Sequence, residues 1–219
     1  MKKYFNVLKL CPLFNGLDEE KLSTMLNCLG AKVESFDKKY TIFSEGKPQK
    51  YIGILLSGSA QIIQIDYFGN RSILSDIEAG NSFAEAFACN DNSILPVSII
   101  ANEPCEVMFI NSRHILHTCT NCCDFHQQLI YNLMKELAKK NIAFYQKIDV
   151  TSKRTTREKL LTYLAYQAKR AGSNRFTIPF DRQALADYLE VDRSGLSVEI
   201  SKLKKEGVLD THKNLFELF

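Results

Sequence analysis

The residues best suited to chemistry lie near the C-terminus, where one arginine, several serines and two lysines recur at helical spacing. If Leu196, Ile200 and Leu203 face a core, the opposite face of that helix carries small hydroxyl residues and an arginine in its first turn. Such an arginine can hydrogen-bond a guanine edge in a major groove, while serines and lysines suit phosphates. The candidate DNA-binding residues are Arg182, Arg193, Ser194, Ser197, Val198, Ser201, Lys202 and Lys204.

Arg193 also has a structural alternative, because Asp187 or Glu190 can pair with it on the protein surface. The charge distribution adds a modest bias toward the DNA role, and its own alternative is a lysine-rich solvated surface. Residues 150–219 carry 13 Lys and Arg against 9 Asp and Glu, whereas residues 1–149 carry 15 against 16. A basic C-terminal third is typical of a segment that meets an anionic partner.

Two short helices and a tight turn are predicted to hold these residues. Asp181 caps the first helix, Glu190-Val191 form the turn, and Asp192 caps the second helix, which Gly207 closes. Val208-Leu209 and Leu215–Phe219 then pair as a hairpin. Helices, turn and hairpin together predict a winged helix-turn-helix.

The first half of the chain predicts a different architecture. After a short helix over Asp18–Leu29, brief apolar runs alternate with turn residues from about Ala31 to Ile110. Many short strands at this spacing are typical of an antiparallel sandwich or barrel. The expected fold class is therefore α+β, with an antiparallel β domain followed by helices.

A long helix is predicted from about Cys123 to Ile148. A helix of this length spans ~37 Å, more than a small barrel needs, so part of its apolar stripe must find cover elsewhere. A second copy of the helix would provide it, in which case the chain is a homodimer. The alternative is a stripe buried wholly within one chain. The predicted dimerisation residues are Phe125, Leu129, Leu133, Leu137, Phe144 and Ile148.

The composition favours a cytoplasmic protein without a membrane partner. The sequence contains no run of ~18 apolar residues that could span a bilayer. Asn6 and Lys9 interrupt the apolar residues of the N-terminus, which does not resemble a signal peptide. Seven cysteines at irregular spacing indicate reduced thiols rather than a disulfide framework.

Cys119, Cys122 and Cys123 cluster ahead of the long helix and offer an alternative function as a redox- or metal-responsive regulator. An iron–sulfur cluster usually needs four thiolates, and the remaining cysteines match no ligand spacing. Free cysteines commonly pack as small hydrophobic residues. We therefore expect neither a metal site, an iron–sulfur cluster nor haem.

An enzyme on the β domain is a further alternative. A metal oxygenase would need histidines and a carboxylate on the strands, but none of the four histidines falls between residues 31 and 110. The sequence also has no nucleophile elbow, P-loop or metalloprotease motif. We therefore expect a protein that is not an enzyme.

Three segments carry a resemblance to a known family. The first helix of the DNA-binding domain of Crp/Fnr transcription regulators is resembled by Lys153–Leu161. Their helix-turn-helix is resembled by Ile178–Leu189 and Val191–Ser194. The resemblance implies a cyclic-nucleotide-binding-like β-roll (1–122), a long dimerisation helix (123–149) and a winged DNA-binding domain (150–219). It also implies a homodimer on a palindromic operator in double-stranded DNA, with RNA polymerase as a further partner.

Two residues depart from the family's pattern. Val198 stands where relatives often carry arginine, which implies an altered operator sequence. Glu190 stands where relatives commonly have glycine or asparagine. If the backbone at Glu190 is left-handed, a side chain there costs ~1 kcal/mol.

The resemblance also places an effector pocket in the β-roll. Cyclic-nucleotide-binding members use a Gly-Glu pair and an Arg-Ser pair, which align here with Ala84-Glu85 and Leu95-Pro96. Burying a cyclic phosphate beside Leu95 without a cation is costly, so we predict a less charged small-molecule effector, not cyclic AMP. Alternatively, side chains fill the pocket and it binds nothing. The predicted lining is Phe83, Ala84, Glu85, Leu95, Pro96, Val97, Ser98, Met134 and Ala138.

Overall fold

A computed structural model describes residues 2–65, 67–68, 71–91, 93–116 and 124–219. The chain divides into two compact units, Met1–Ala138 and Lys139–Phe219, and the long helix contributes residues to both. No helix within the described ranges is both long and apolar enough to cross a membrane. The three-part division expected from the resemblance stays a prediction.

The first unit is built on two antiparallel sheets. Its strands are β1 (Lys32–Phe36), β2 (Thr41–Phe43), β3 (Tyr51–Ser57), β4 (Ser59–Ile65), β5 (Arg71–Glu78), β6 (Ser82–Phe83), β7 (Ser98–Ala101) and β8 (Cys105–Asn111). One sheet has the order β1-β8-β3-β6 and the other β2-β7-β4-β5. Leu55 and Val107 of the first sheet share a buried cluster with Ile77 and Ile99 of the second, so the sheets pack face to face. The predicted α+β class and antiparallel β domain are confirmed.

Helices cover the outer face of the first sheet. They are α1 (Phe5–Leu8), α2 (Glu19–Cys28), α3 (Glu85–Ala88), α4 (Ser112–Leu116) and α5 (Asp124–Thr151). Along β3 the side chains alternate, because successive residues of a strand point to opposite faces. Ile52 and Ile54 accordingly pack with the helices, and Leu55 packs between the sheets. Ser112 and His126 are both buried, and each donates a side-chain hydrogen bond to a backbone carbonyl oxygen in this layer, that of Ala88 and that of Ile115.

This packing corrects the predicted dimerisation stripe. Leu129 and Leu133 are fully buried in the core of their own chain, with Phe125 and Leu137 packed against the same cluster. The buried amide of Asn132 fixes this contact by donating to the carbonyl oxygens of residues 13 and 15 at 3.0 and 2.9 Å. The intramolecular alternative therefore holds for this half of the stripe, since these side chains already have a hydrophobic partner.

The second unit contains three further helices and a small sheet. These are α6 (Thr156–Ala171), β9 (Arg175–Thr177), α7 (Arg182–Leu189), α8 (Arg193–Lys205), β10 (Leu209–His212) and β11 (Leu215–Leu218), with strand order β10-β11-β9. Thr155 and Glu158 form a reciprocal capping box that starts α6. Gly172, left-handed at φ 62°, ends it. The predicted hairpin is present as β10 and β11.

Candidate functional site

The face of α8 that the sequence singled out is exposed. Leu196, Ile200 and Leu203 are buried in the core of the second unit. Because the helix repeats every 3.6 residues, the residues between them point outward. The exposed members are Arg193, Ser194, Ser197, Val198, Ser201, Lys202 and Lys204. One helix face therefore presents a positive charge in its first turn, hydroxyl groups in the middle and lysines near its end.

Side-chain caps fix where the two helices of the motif begin. Asp181 accepts from the backbone N–H of Ala184 at 2.8 Å, and Asp192 accepts from that of Gly195 at 2.8 Å. Hydrogen bonds from the Ser194 hydroxyl and the Gly195 N–H hold the pKa of Asp192 below its ordinary value. Both predicted caps are present, and the second one holds the first turn of α8 in place around Arg193.

Arg193 is not engaged on the protein surface. Among the residues that the structure describes, no carboxylate lies within 4.0 Å of its guanidinium. The two alternative partners have contacts of their own. Asp187 accepts from the Gln183 amide at 2.8 Å, and Glu190 pairs with Lys147 at 3.1 Å. The guanidinium is therefore available to a ligand.

Two predicted contact residues also contact the hairpin. Arg182 is half-buried, with its guanidinium carbon 5.8 Å from the centre of the Phe216 ring on the hairpin, and burial lowers its pKa. Lys204 bridges to the hairpin through the Asp210 carboxylate at 2.7 Å and the Thr211 carbonyl at 3.2 Å. Both residues thus join the helix-turn-helix to its hairpin. Arg182 is half-buried, unlike the exposed residues of α8.

The turn between α7 and α8 is held by a lysine from the long helix. Lys147 donates to the carbonyl oxygen of Tyr188, pairs with the Glu190 carboxylate and lies 4.6 Å from the centre of the Tyr188 ring. Lys159 adds a hydrogen bond to the Glu190 carbonyl at 3.3 Å. Sequence reasoning missed Lys147, because the contact joins residues 41 positions apart and a lone lysine on a helix gives no signal.

The junction between α5 and α6 is held by hydrogen bonds. Helix α5 continues to Thr151, and Asp149 near its end accepts from Lys153 Nζ and from the Tyr166 hydroxyl, each at 2.8 Å. These hydrogen bonds, that of Lys153 first, hold the pKa of Asp149 below its ordinary value. The end of α5 is therefore fixed to α6 on one side and, through Lys147, to the turn on the other.

Glu190, at a position where relatives commonly have glycine or asparagine, has a left-handed backbone with φ 54° and ψ 54°. Residues other than glycine and asparagine resist this conformation. We therefore expect the free energy of unfolding of Glu190→Asn to exceed that of Glu190→Ala by about 1 kcal/mol. Both variants lose the ion pair with Lys147, so their difference reports the backbone alone. Thermal and urea unfolding measure it, and equal stabilities would contradict the assignment of strain.

The residues predicted to line an effector pocket split into buried and exposed groups. Phe83, Glu85 and Leu95 are buried, and the Ser82 hydroxyl donates to the Glu85 carboxylate. Ala84 is left-handed at φ 63°, the conformation for which relatives' glycine is suited. Pro96 is exposed, whereas Val97 and Ser98 are half-buried and Ser98 Oγ accepts from the backbone N–H of residue 45 at 3.0 Å.

Met134 and Ala138, the two pocket residues expected from the long helix, are exposed on the first unit's part of α5. Leu95, which aligns with the family's phosphate-binding arginine, is only 1% exposed. An apolar side chain therefore occupies a buried position where a phosphate-binding site requires a cation.

The cysteine cluster at 119, 122 and 123 lies outside the described residues. Of the cysteines in the described ranges, Cys11 and Cys105 are buried, Cys89 is half-buried and Cys28 is exposed. Burial raises the pKa of the Cys89 and Cys105 thiols, which disfavours the reactive thiolate. Within those ranges, no three Cys, His, Asp or Glu side chains group in a way that could hold a metal ion.

Two family models match the chain. A cyclic nucleotide-binding domain matches residues 33–122, and a Crp-like helix-turn-helix domain matches residues 158–218. Together they cover more than half of the sequence, in the order sensor domain then DNA-binding domain. The chain belongs to the Crp/Fnr family of transcription regulators.

Solved structures of Crp/Fnr regulators share this fold. Thermus thermophilus catabolite activator protein is 19% identical, with a TM-score of 0.51 over 95% of this chain and 93% of that one. DNR from Pseudomonas aeruginosa is 22% identical, with a TM-score of 0.51 over 100% and 95%. CprK complexed with OCPA is 14% identical, with a TM-score of 0.62 over 91% and 89%. At these identities the likeness concerns the fold.

A curated relative of different architecture also matches. Mouse cGMP-dependent protein kinase 2 is 24% identical over 208 residues, which are 94% of this chain but 27% of the kinase. The chain thus spans about a quarter of that relative's length. The Crp/Fnr family and its structural neighbours are transcription regulators rather than enzymes, as the sequence predicted.

Proposed function

We propose that this Crp/Fnr regulator binds a specific palindromic DNA sequence as a homodimer, under the control of a small molecule other than cyclic AMP. The observation that carries the DNA role is the exposed face of α8, with an unengaged Arg193 in its first turn. An arginine there reaches a guanine edge, and the serines allow close approach to the groove floor. RNA polymerase is a further partner to be expected at such a site.

The homodimer is supported by an exposed apolar seam on α5. Tyr131, Met134, Ala138, Asn141, Tyr145 and Ile148 recur at alternating steps of three and four residues, the spacing of coiled-coil core positions. All six are exposed in the single chain. This seam replaces the predicted stripe, of which only Phe144 and Ile148 are exposed.

The composition of the seam favours a second copy of the same helix as its cover. Tyr131 is 61% exposed, Tyr145 68% and Ile148 66%, and large apolar side chains left uncovered at regular spacing mark an interface. Ile142 and Phe144 flank the seam and are equally exposed, which widens the apolar face. Asn141 is the one polar seam residue, and a polar residue at such a position fixes the register of paired helices.

The effector proposal depends on Leu95 and its buried surroundings. A cyclic phosphate held there would lose its water without gaining the guanidinium that relatives carry at this position, at a cost that a neutral or apolar molecule avoids. Among the structures that share this fold, CprK has been solved in complex with OCPA. A member of the fold is thus known with a ligand that is not named as a cyclic nucleotide.

We expect no saturable heat of binding when the protein is titrated with cyclic AMP up to about 1 mM. Adenosine is the matched control, because it lacks the phosphate. With leucine in place of arginine at position 95, cyclic AMP should bind no more tightly than adenosine. Micromolar affinity for cyclic AMP, well above that for adenosine, would contradict the proposal.

Lys147 offers a route by which effector binding can reach DNA. This lysine lies near the C-terminal end of α5. It binds the loop between α7 and α8 through the Tyr188 carbonyl and the Glu190 carboxylate. A shift or rotation of paired α5 helices would therefore displace the turn directly. Such a movement changes the spacing of the two α8 helices, which must sit about one helical turn of DNA, ~34 Å, apart.

Selection from a random pool of double-stranded DNA tests the proposed function. The expected product is an inverted repeat whose half-sites are centred one helical turn apart. Recovery of unrelated sequences, or of no sequence with affinity above the starting pool at moderate salt, would overturn specific operator binding. Salt must be fixed, because phosphate contacts alone give non-specific affinity that falls steeply with ionic strength.

A further inference from the structure

The first unit has a second concave site, whose lining includes neither Glu85 nor Leu95, although its wall residue Phe43 lies beside Phe83 with ring centres 5.6 Å apart. It is a cavity of about 310 Å³ walled by five aromatic rings. They belong to Phe36, Tyr40, Phe43, Tyr51 and Phe109. Cavities of this size lie at the lower end of those that bind small molecules, which suits a ligand with one or two rings.

The register of the first sheet explains why the rings converge. Lys32, Glu34 and Phe36 share one face of β1, and Lys32 lies opposite Phe109 of β8. Phe109 in turn lies opposite Gly53 of β3. This face continues into the core between the two sheets, where Phe109 belongs to the buried cluster. The cavity is thus the open end of the space between the sheets.

The rings hold one another in place. Phe109 is only 8% exposed and contacts three neighbours, with ring centres 6.0 Å from Phe36, 5.5 Å from Phe43 and 6.5 Å from Tyr51. Tyr40 packs on Phe36 at 5.2 Å but is itself 57% exposed. Rings fixed by edge-to-face contacts, with tyrosines at the rim, form a preorganised wall for another planar ring.

Two opposite charges stand at the same opening. Lys32 and Glu34 are exposed, line the cavity and lie two residues apart on one strand face, so their Cα atoms are about 7 Å apart. In the described part of the chain, no ion pair engages either side chain. A ligand with one positive and one negative group beside an aromatic ring matches this arrangement.

We propose that this cavity binds a free aromatic amino acid. The ligand's ring packs against Phe36, Phe109 and Tyr51, its carboxylate pairs with Lys32, and its ammonium group pairs with Glu34. Each pairing is charge-assisted and is therefore stronger than a neutral hydrogen bond. All of the residues that line the cavity belong to the first unit, so its test uses the whole chain without DNA.

The absence of tryptophan from the chain provides a clean assay, because L-tryptophan can be excited at the long-wavelength edge of its absorption band, where the nine tyrosines absorb little. We expect its fluorescence anisotropy to rise to saturation as protein is added, and L-tyrosine or L-phenylalanine to displace it. Tryptamine, without the carboxylate, and indole-3-propionate, without the ammonium group, should each bind at least about tenfold more weakly.

Lys32→Met and Glu34→Gln should each weaken L-tryptophan binding by about tenfold, because one pairing is lost. Both positions are exposed, so the fold should survive, and thermal unfolding checks it. Glu103→Gln, an exposed carboxylate outside the cavity, is the matched control and should bind normally. Absence of saturable binding by all three amino acids, or equal binding by the variants and the parent, would overturn the proposal.

Discussion

Glutamate at both Tyr145 and Ile148 is expected to convert the protein into a folded monomer that binds its operator at least about a hundredfold more weakly. Each chain would bring two carboxylates into the seam, where they would lose water and face like charges across the interface. A monomer then binds one half-site only. Its affinity no longer gains from a linked second subunit that binds the other half-site intramolecularly.

Ala143→Glu is the matched control for this double variant. Residue 143 is exposed on the same helix but lies outside the seam, so the added charge stays in water. Light scattering after size exclusion gives the mass of each variant, and circular dichroism confirms helix content. A double variant that remains dimeric with unchanged operator affinity would show that another surface joins the chains.

Replacement of Arg193 by alanine should cost about 1–3 kcal/mol for each half-site and relax the preference for one base pair. The loss follows from the two parallel hydrogen bonds that a guanidinium makes to guanine. Arg193→Lys should recover little, because an ammonium group cannot match both acceptors. Fluorescence anisotropy on the selected operator and on its single-base variants separates affinity from specificity.

Lys202→Ala gives a useful contrast, since a phosphate contact should weaken binding to all sequences alike and reduce its dependence on salt. Arg175→Ala, an exposed arginine on β9, controls for the loss of charge. Undiminished operator affinity of Arg193→Ala, with normal folding, would remove Arg193 from the reading face and favour readout by another part of the second unit.

Features with local causes were predictable from the sequence. The caps Asp181 and Asp192, the end of α6 at Gly172 and the inward face of α8 each depend on residues within one or two helical turns. The short strands were also foreseeable, because their length and turn residues follow from local composition. The family resemblance then identified the strands as a cyclic-nucleotide-binding-like domain and the C-terminal helices as a Crp-like helix-turn-helix.

The proposed dimer seam was not predictable in the same way, because α5 carries two apolar stripes. Leu129 and Leu133 lie on one stripe, and Tyr131 and Met134 on the other. Both stripes have helical spacing, so the sequence cannot tell which one meets the chain's own sheet. Only the packing of α5 on β3, with Asn132 bound to the N-terminal segment, decides between them.

The aromatic cavity and the Lys147 contact were invisible for another reason. Each depends on residues that are distant along the chain, and strand register cannot be read from composition. Lys32 and Phe109 are cross-strand neighbours although 77 positions separate them. Val198 is 55% exposed on the same helix as Arg193, and the altered operator preference that it predicts is tested by the selection experiment.

Ala84 and Glu190 both hold a left-handed backbone with a side chain that resists it. Each position stores about 1 kcal/mol of strain that a single change to glycine or asparagine would relieve. Such a change would leave the exposed face of α8 untouched. At Glu190 the gain would be reduced by the loss of the ion pair with Lys147. The remaining margin would let a lineage accept mildly destabilising substitutions on α8 that change which DNA sites it binds.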